Sequence, residues 1–240
     1  MRFPPAGQLL WSSTEQEEVA ARYRMKQAQK PFQFVDAFYL VIVGLQSAHT
    51  LREFVKQLND VSEYCIFCHT YHALATHHYT SYSSDFAQWV MAGCNEGELA
   101  EQLGAIDVRQ FVELKDLRGA LVREVDEYLA AYPASAERPA FEPFYFAETR
   151  EVVVPVDRKA SNLAELAEGM RQMSLHSLHY HFVNSRLRLH LRTNDFSNWI
   201  ENELGFPELA LQIKRVDFYT NTLPEVRAEI LDCITPWIGR

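Results

Sequence analysis

The chain carries the same sequence pattern twice, about 110 residues apart. Residues 50–90 contain TLREFVKQL, VSEYCIFCHTYH and SSDFAQWV, and residues 162–200 contain NLAELAEGM, MSLHSLHYHFVN and TNDFSNWI. Further along, ELAEQLGAID at 98–107 corresponds to ELALQIKRVD at 208–217. A period of this length repeats a whole module, because solenoid repeats span only about 20–50 residues. The chain is therefore predicted to fold as two homologous modules in tandem, packed with pseudo-twofold symmetry.

Each module is predicted to be mainly helical, with a short β element at its front. The stretches AFYLVIVGL (37–45) and FYFAETREVVVPV (144–156) are rich in β-branched and aromatic residues, as strands are. The first is predicted to be a buried strand, and the second is expected to carry about six additional residues. After each stretch, apolar residues recur with the period of an amphipathic helix. Ser62 and Ser174 are predicted to cap the next helix of each module.

These patterns divide the chain into four parts. They are a helical leader (1–31), module one (32–130), a linker (131–143) and module two (144–240). In the leader, Thr14 and Glu17 have the spacing of a capping box at the start of a helix. The linker is assigned because it combines Ala, Pro and charged residues without periodicity.

Composition restricts the function classes. The net charge of −9 argues against nucleic-acid binding, which needs Lys and Arg to replace phosphate counterions. The longest apolar run is far shorter than the roughly 20 residues of a membrane helix, so no membrane partner is expected. No secretory signal pattern is present at the N-terminus, and the four cysteines show no disulfide framework. A cytoplasmic location with reduced thiols is predicted.

The sequence CIFCH at 65–69 matches the pattern of covalent haem attachment. Haem is disfavoured, because attachment normally occurs outside the cytoplasm and the second copy retains only the histidine, as His181. Redox chemistry through Cys65 and Cys68 is a weaker possibility, because a reactive pair usually opens a helix. No cofactor is expected from this motif.

A zinc or other transition-metal site is the alternative for the same segment. Cys65, Cys68, His69 and His72 share one helical face. One straight helix cannot wrap a tetrahedral zinc with all four, because they span about 10 Å at roughly 1.5 Å per residue. Two or three of them could bind a metal together with His77 or His78. Otherwise, both cysteines are predicted to be small buried apolar groups.

Three polar or aromatic positions agree between the two copies. His69 corresponds to His181, Asp85 to Asp195, and Trp89 to Trp199. A His–Asp pair can orient an imidazole for base catalysis or ligand binding. The structural alternative is favoured, in which the aspartate caps a helix and the histidine and tryptophan belong to the core. The ligand-binding candidates are completed by the aromatic residues Tyr71 and Tyr180.

The combination of SLHYHF, NDFSNWI and ELALQI over 161–232 resembles an uncharacterised bacterial and archaeal domain family of unknown function. The first copy resembles it less, because Ser84 replaces Asn194 and two residues are added before Asp85. The resemblance implies a compact helical module, present here as two tandem copies, and no assigned reaction.

The favoured function is noncatalytic: binding of a protein partner or a small ligand, by a cytoplasmic regulatory accessory protein that is a monomer or a homodimer. The alternative is a metal-binding protein or metal-dependent enzyme built on the cysteines and histidines of module one. Neither copy contains a Gly-rich phosphate loop, a GxSxG or an HExxH motif, so an enzyme is the less favoured class.

Overall fold

The computed structural model describes residues 26–76, 82, 84–190 and 192–238. The predicted leader helix at Thr14 and the histidines His77 and His78 lie outside the described residues. The mainly helical fold class is confirmed. Within the described residues, no helix is long and apolar enough to cross a membrane.

Two long strands each precede a helical segment. Strand β1 is Phe32–Ala48 and strand β2 is Phe144–Ala160. The first helical segment (51–131) contains α1 (Leu51–Asp60), α2 (63–76, with a π turn at Cys68–His72), α3 (Asp85–Ala92), α4 (Gly97–Gly104) and α5 (Leu114–Ala131). The second helical segment (163–238) contains α6 (Leu163–Gln172), α7 (175–189, with a π turn at Tyr180–Asn184), α8 (195–204), α9 (Pro207–Lys214) and α10 (Leu223–Ile238).

The two strands pair with each other in an antiparallel two-stranded ribbon. Each strand has 17 residues, so both are longer than the predicted β elements. Their equal length shows that the expectation of about six additional residues in the second stretch was wrong. The corresponding strands begin at Phe32 and Phe144, whereas the first predicted stretch begins within β1, at Ala37.

The ribbon joins the two helical segments in an exchanged arrangement. Phe32, at the start of β1, stacks on Phe196 of the second segment at 5.3 Å between ring centroids. Phe144, at the start of β2, contacts Phe86 of the first segment at 5.4 Å. Each strand therefore begins against the segment that it does not lead into, and then crosses to the segment that follows it in sequence. Exchange of this kind makes the fold of each segment depend on the other.

Local capping follows the sequence prediction in both segments. The hydroxyl of Ser62 accepts the N–H of Cys65, and that of Ser174 accepts the N–H of Ser177. The same hydroxyls donate to the ribbon, Ser62 to Glu148 at 2.5 Å and Ser174 to Asp36 at 2.6 Å. Each capping serine therefore also fixes the position of the strand that arrives from the other half of the chain.

The centre of the ribbon is more exposed than predicted. AFYLVIVGL was expected to form a buried strand, and this expectation is wrong for most of the stretch. Leu40 is 60% exposed and Val43 is 67% exposed, although Ala37 is fully buried. High β propensity identified the strand correctly, but burial depends on a second layer. The consecutive residues 40–43 are all exposed, so neither side of β1 is fully covered there.

Candidate functional site

Two corresponding sites hold the starts of the strands, and they contain the residues that agree between the copies. We call His69, Asp85 and Trp89 the first anchor site, and His181, Asp195 and Trp199 the second anchor site. The aspartates are the first residues of α3 and α8. The N-caps of these helices are Ser84 and Asn194, so the predicted capping by aspartate is wrong and their carboxylates are available for the histidines.

In the first anchor site, His69 bridges a carboxylate and the backbone of β2. Its Nδ1 lies 2.8 Å from the Asp85 carboxylate, and its Nε2 accepts the N–H of Ala147 at 2.9 Å. Because Nε2 accepts, the ring proton is on Nδ1 and is donated to Asp85. The indole of Trp89 donates to the carbonyl of Glu142 at 2.8 Å, just before the strand.

The second anchor site repeats this geometry on β1. His181 Nδ1 lies 2.7 Å from Asp195, and its Nε2 accepts the N–H of Val35 at 3.2 Å. Trp199 donates to the carbonyl of Lys30 at 2.7 Å. The His–Asp pair of the functional alternative forms in both copies, and the histidines and tryptophans are buried, as the favoured structural alternative predicts. Both nitrogens of each imidazole are engaged by the protein itself, which leaves no ring nitrogen to act on a substrate.

The segment predicted to bind a metal is arranged differently from a metal site. Burial raises the pKa of the Cys65 thiol to about 12 and also raises the pKa of Cys68, so both favour the protonated form. His69 is occupied in the first anchor site, and His72 lies against Tyr39, 5.2 Å between ring centroids. Across the described part of the chain, no group of three or more His, Cys, Asp or Glu side chains could hold a metal ion.

The two tyrosines named as ligand-binding candidates, Tyr71 and Tyr180, have different surroundings. Tyr71 is fully buried, and its hydroxyl donates to the carbonyl of Val108 at 2.6 Å. Tyr180 is buried beneath Arg188, whose guanidinium lies 4.2 Å from the ring centroid. Tyr71 nevertheless supports a second polar region through its backbone carbonyl.

This second region lies at the centre of the ribbon, on the pseudo-twofold axis. Corresponding residues of the strands are 112 positions apart, as Phe32 and Phe144 are, so Tyr39 corresponds to Glu151. The strand register also pairs Tyr39 directly with Glu151. A pair that is both corresponding and adjacent must lie on the axis. The starts of α2 and α7, Glu63 and Leu175, have the same spacing of 112.

By that spacing, two further pairs of corresponding residues meet at the axis. We call the six residues the axial cluster: Tyr39 and Glu151, His72 and Asn184, and Phe67 and His179. All three pairs differ in residue type, in contrast to the anchor sites. His72 and Asn184 end the π turns of α2 and α7, and π turns are frequent at functional sites.

Hydrogen bonds connect the cluster across the two halves of the chain. Asn184 Nδ2 donates to the Tyr39 hydroxyl at 2.8 Å and to the Glu151 carboxylate at 2.9 Å. His179 Nε2 lies 3.1 Å from the carbonyl of Tyr71 and therefore carries the ring proton. His179 Nδ1, 3.2 Å from the Tyr39 hydroxyl, is then the acceptor of the phenolic proton.

Burial holds both titratable groups of this network in their neutral forms. It raises the pKa of the Tyr39 phenol far above its usual range, and the negative charge of Glu151 raises it further. Burial lowers the pKa of His179 to about 4, although the hydrogen bond to the Tyr71 carbonyl acts in the opposite direction. A general acid or base works best with a pKa near the working pH, and both pKa values are shifted away from neutrality.

One acceptor of the cluster is unsatisfied. Asn184 Oδ1 is buried and has no hydrogen-bond partner, a state that costs about 1–3 kcal/mol in a folded protein. The cluster reaches the surface at Glu151, which is exposed, and the exposed ring of His176 lies 6.2 Å from that of Tyr39 between centroids. The nearby cation Arg188 is already paired with Asp195 at 2.6 Å. The Asn184 amide thus offers an unsatisfied oxygen, while its nitrogen donates to the exposed carboxylate of Glu151.

Sequence reasoning identified the anchor sites and missed the axial cluster. The candidates were positions where the copies agree, so they did not include Tyr39, Glu151, Asn184 or His179. The signal that could have identified these residues is a difference between the copies. Positions that correspond by the spacing of the repeat but differ in residue type mark where one half of the molecule departs from the other.

Comparison with known proteins identifies one family and one similar structure. The model of DUF5752, a family of unknown function, matches residues 29–235 in a single span. The structure of OrfY from Thermoproteus tenax is similar, with a TM-score of 0.76 and 28% sequence identity over 87% of this chain and 95% of that chain. No curated protein matches. The family match spans both helical segments together.

Proposed function

The chain belongs to DUF5752, and we propose that it is a noncatalytic cytoplasmic binding protein that takes its ligand at the axial cluster. We further propose that its halves arose by tandem duplication, and that neither nucleic acid nor a membrane is its partner. The single observation that supports the binding site is Asn184 Oδ1, a buried acceptor without a donor, on the side chain whose Nδ2 donates to Glu151.

The chemistry of the cluster favours a ligand that donates hydrogen bonds and carries positive charge. Glu151 supplies a negative charge, Asn184 a free acceptor, and Tyr39 an aromatic ring of the kind that attracts cations. A primary ammonium group satisfies all three, either on a small amine or at the tip of a lysine side chain of a partner protein. Binding would remove the cost of the unsatisfied acceptor.

A noncatalytic role is supported by the protonation states. The anchor histidines have both ring nitrogens engaged, and the neutral forms of Tyr39 and His179 are stabilised by burial. Groups that resist a change of protonation near neutral pH are poor at transferring protons but well suited to fixed hydrogen bonding.

Thermal denaturation in the presence of n-propylammonium chloride tests the proposal, with potassium chloride at the same ionic strength as reference. At ten times Kd, the wild type gains about 1.4 kcal/mol, which raises Tm by roughly 3–5 °C. Glu151→Gln should lose this shift, and the matched control Asp157→Asn, an exposed carboxylate on the same strand, should keep it.

A wild-type Tm that is unchanged by the amine, or an equal shift in Glu151→Gln, would overturn the ammonium site. A peptide with one lysine, compared with the same peptide bearing acetyl-lysine, distinguishes the two sources of the ammonium group. Tighter binding of the peptide than of the free amine assigns the ligand to a protein partner.

A further inference from the structure

One side of the ribbon carries a largely exposed apolar stripe, of which Phe38 contacts His176 at 6.4 Å between ring centroids. Side chains alternate between the two sides of a strand, so residues two apart share a side. Opposite the side that carries Tyr39 lie five exposed apolar residues, which we call the outer stripe: Phe38, Leu40, Ile42, Val152 and Val154. Their exposed fractions run from 41% at Val154 to 60% at Leu40.

Exposed apolar residues also lie on the side that carries Tyr39. They are Val41 and Val43 on β1 and Val153 on β2, and Leu45 near the end of β1 is fully exposed. Monomeric proteins seldom show a contiguous apolar patch larger than roughly 300–600 Å². Together with the two open edges of a two-stranded ribbon, such a surface is prone to association if it stays uncovered.

We infer that the outer stripe is the interface of a homodimer, in which the ribbon of one copy packs face to face on the ribbon of a second copy. This goes beyond the proposed ligand site, which lies on the opposite side of the ribbon and does not require it. Face-to-face sheets pack about 10 Å apart with interdigitated side chains.

The area of the stripe fits this occupant. Five half-exposed side chains of this size present on the order of 450 Å² of apolar surface. A standard interface buries roughly 800 Å² on each partner, of which about three fifths is apolar. The outer stripe therefore supplies the apolar core that one such interface needs.

Symmetry also fits a second copy. Leu40 corresponds to Val152 and Ile42 to Val154 by the spacing of 112 residues, so the stripe is apolar on both sides of the pseudo-twofold axis. A twofold dimer joins the same patch on both subunits. Because the stripe has similar apolar residues on both sides of its axis, apolar side chains of one copy can lie against apolar side chains of the other along the stripe.

Three charged residues lie on the same side as the outer stripe, and each is held by its own chain. Arg150, opposite Leu40 in the ribbon, is paired with Glu148 at 3.0 Å. Its guanidinium also stacks on Tyr64, 4.1 Å from the ring centroid. Asp36, opposite Val154, accepts the hydroxyl of Ser174 at 2.6 Å. The arginine is therefore neutralised and held flat within its own chain when a second copy approaches.

Sedimentation equilibrium of the full chain between 1 and 100 µM tests the dimer. The wild type should show the mass of a dimer, and the double variant Leu40→Lys/Val152→Lys should dissociate at least 100-fold more readily. Leu211→Lys is the matched control, because Leu211 is an exposed leucine (47%) on α9, away from the ribbon, and it should leave the dimer unchanged. Far-UV circular dichroism and Tm at low concentration establish that each variant is folded.

A wild type that remains monomeric at 100 µM overturns the proposal. If that monomer also binds a hydrophobic dye and the double variant does not, the stripe is exposed in the isolated protein. Its partner is then a different protein. A double variant that stays dimeric, or a control that dissociates equally, also overturns it. Amine binding that persists in a monomeric variant separates this result from the test of the axial cluster.

Discussion

The anchor sites and the axial cluster use similar side chains in opposite ways. Each anchor site joins a histidine, an aspartate and a tryptophan to the backbone of a strand, and the two sites agree in residue type and geometry. The axial cluster is formed by corresponding positions that differ, and it retains a buried acceptor without a partner. Positions that agree between the halves are therefore the ones that hold the fold together. Difference marks where one asymmetric site can exist on a pseudo-symmetric scaffold.

The largest expected effect is the loss of an anchor histidine. His69→Ala or His181→Ala leaves a strand N–H without its acceptor and a carboxylate without its donor, and creates a cavity. We expect each to lower the free energy of unfolding by about 3–4 kcal/mol, measured by urea denaturation. Tyr39→Phe, which removes one hydroxyl of the axial cluster, should cost only about 1 kcal/mol.

Similar costs for the anchor and axial variants would contradict the distinction between the two regions. A cost at one anchor site alone would show that the exchanged strands are not held equivalently, despite their matching geometry.

A slightly smaller effect is expected from the pH dependence of His179. Its pKa is about 4 in the folded protein, below the ordinary 6.5, so between these values the unfolded chain binds more protons. The stabilisation from the neutral imidazole is complete above about pH 6.5 and is lost as pH falls through 4. At roughly 1.4 kcal/mol per pKa unit, the loss is on the order of 3 kcal/mol.

His179→Phe is the matched variant, because phenylalanine stands at the corresponding position, Phe67. Other groups still titrate, so the quantity to compare is the difference in unfolding free energy between the two proteins from pH 7 to pH 4. We expect the wild type to lose more. Parallel curves would show that His179 is not held neutral by burial.

A smaller effect than that of the anchor histidines is expected from the anchor tryptophans. Trp89→Phe and Trp199→Phe keep an aromatic ring in the core but remove the N–H that donates to the carbonyl of Glu142 or Lys30. Each should cost about 1–2 kcal/mol, read from chemical denaturation. Since the two sites share no partner, the double variant should equal the sum of the single variants within about 0.5 kcal/mol. A clear departure from that sum would indicate that the two anchor sites are coupled through the ribbon.

Much of the fold was predictable because its signals are local. Helical periodicity and the caps at Ser62 and Ser174 depend on residues a few positions apart, and these predictions are confirmed. The anchor pairs could be proposed because both copies of the repeat contain them and because only 14 residues separate His181 from Asp195. Val35, the strand partner of His181, is 146 residues away in sequence. The strand partner of each histidine could not be proposed, because it comes from the opposite half of the chain.

The prediction that the AFYLVIVGL strand is buried was wrong for a physical reason. The composition of AFYLVIVGL favours a strand but says nothing about what covers it, and residues such as Leu40 and Val43 are exposed. The cysteine motif shows the opposite case, because its bland interpretation is confirmed. Cys65 and Cys68 resemble a ligand pair in sequence, but both are buried as predicted for small apolar groups, and burial raises the pKa of both thiols.

The sequence by itself determined that two similar, mainly helical halves would form, because repetition and periodicity are properties of neighbouring residues in one chain. The tertiary structure alone decided that the strands are exchanged, and that Tyr39 meets Glu151 on the axis between the halves. That meeting depends on the register between strands more than 100 residues apart, which is set by how the whole apolar surface packs.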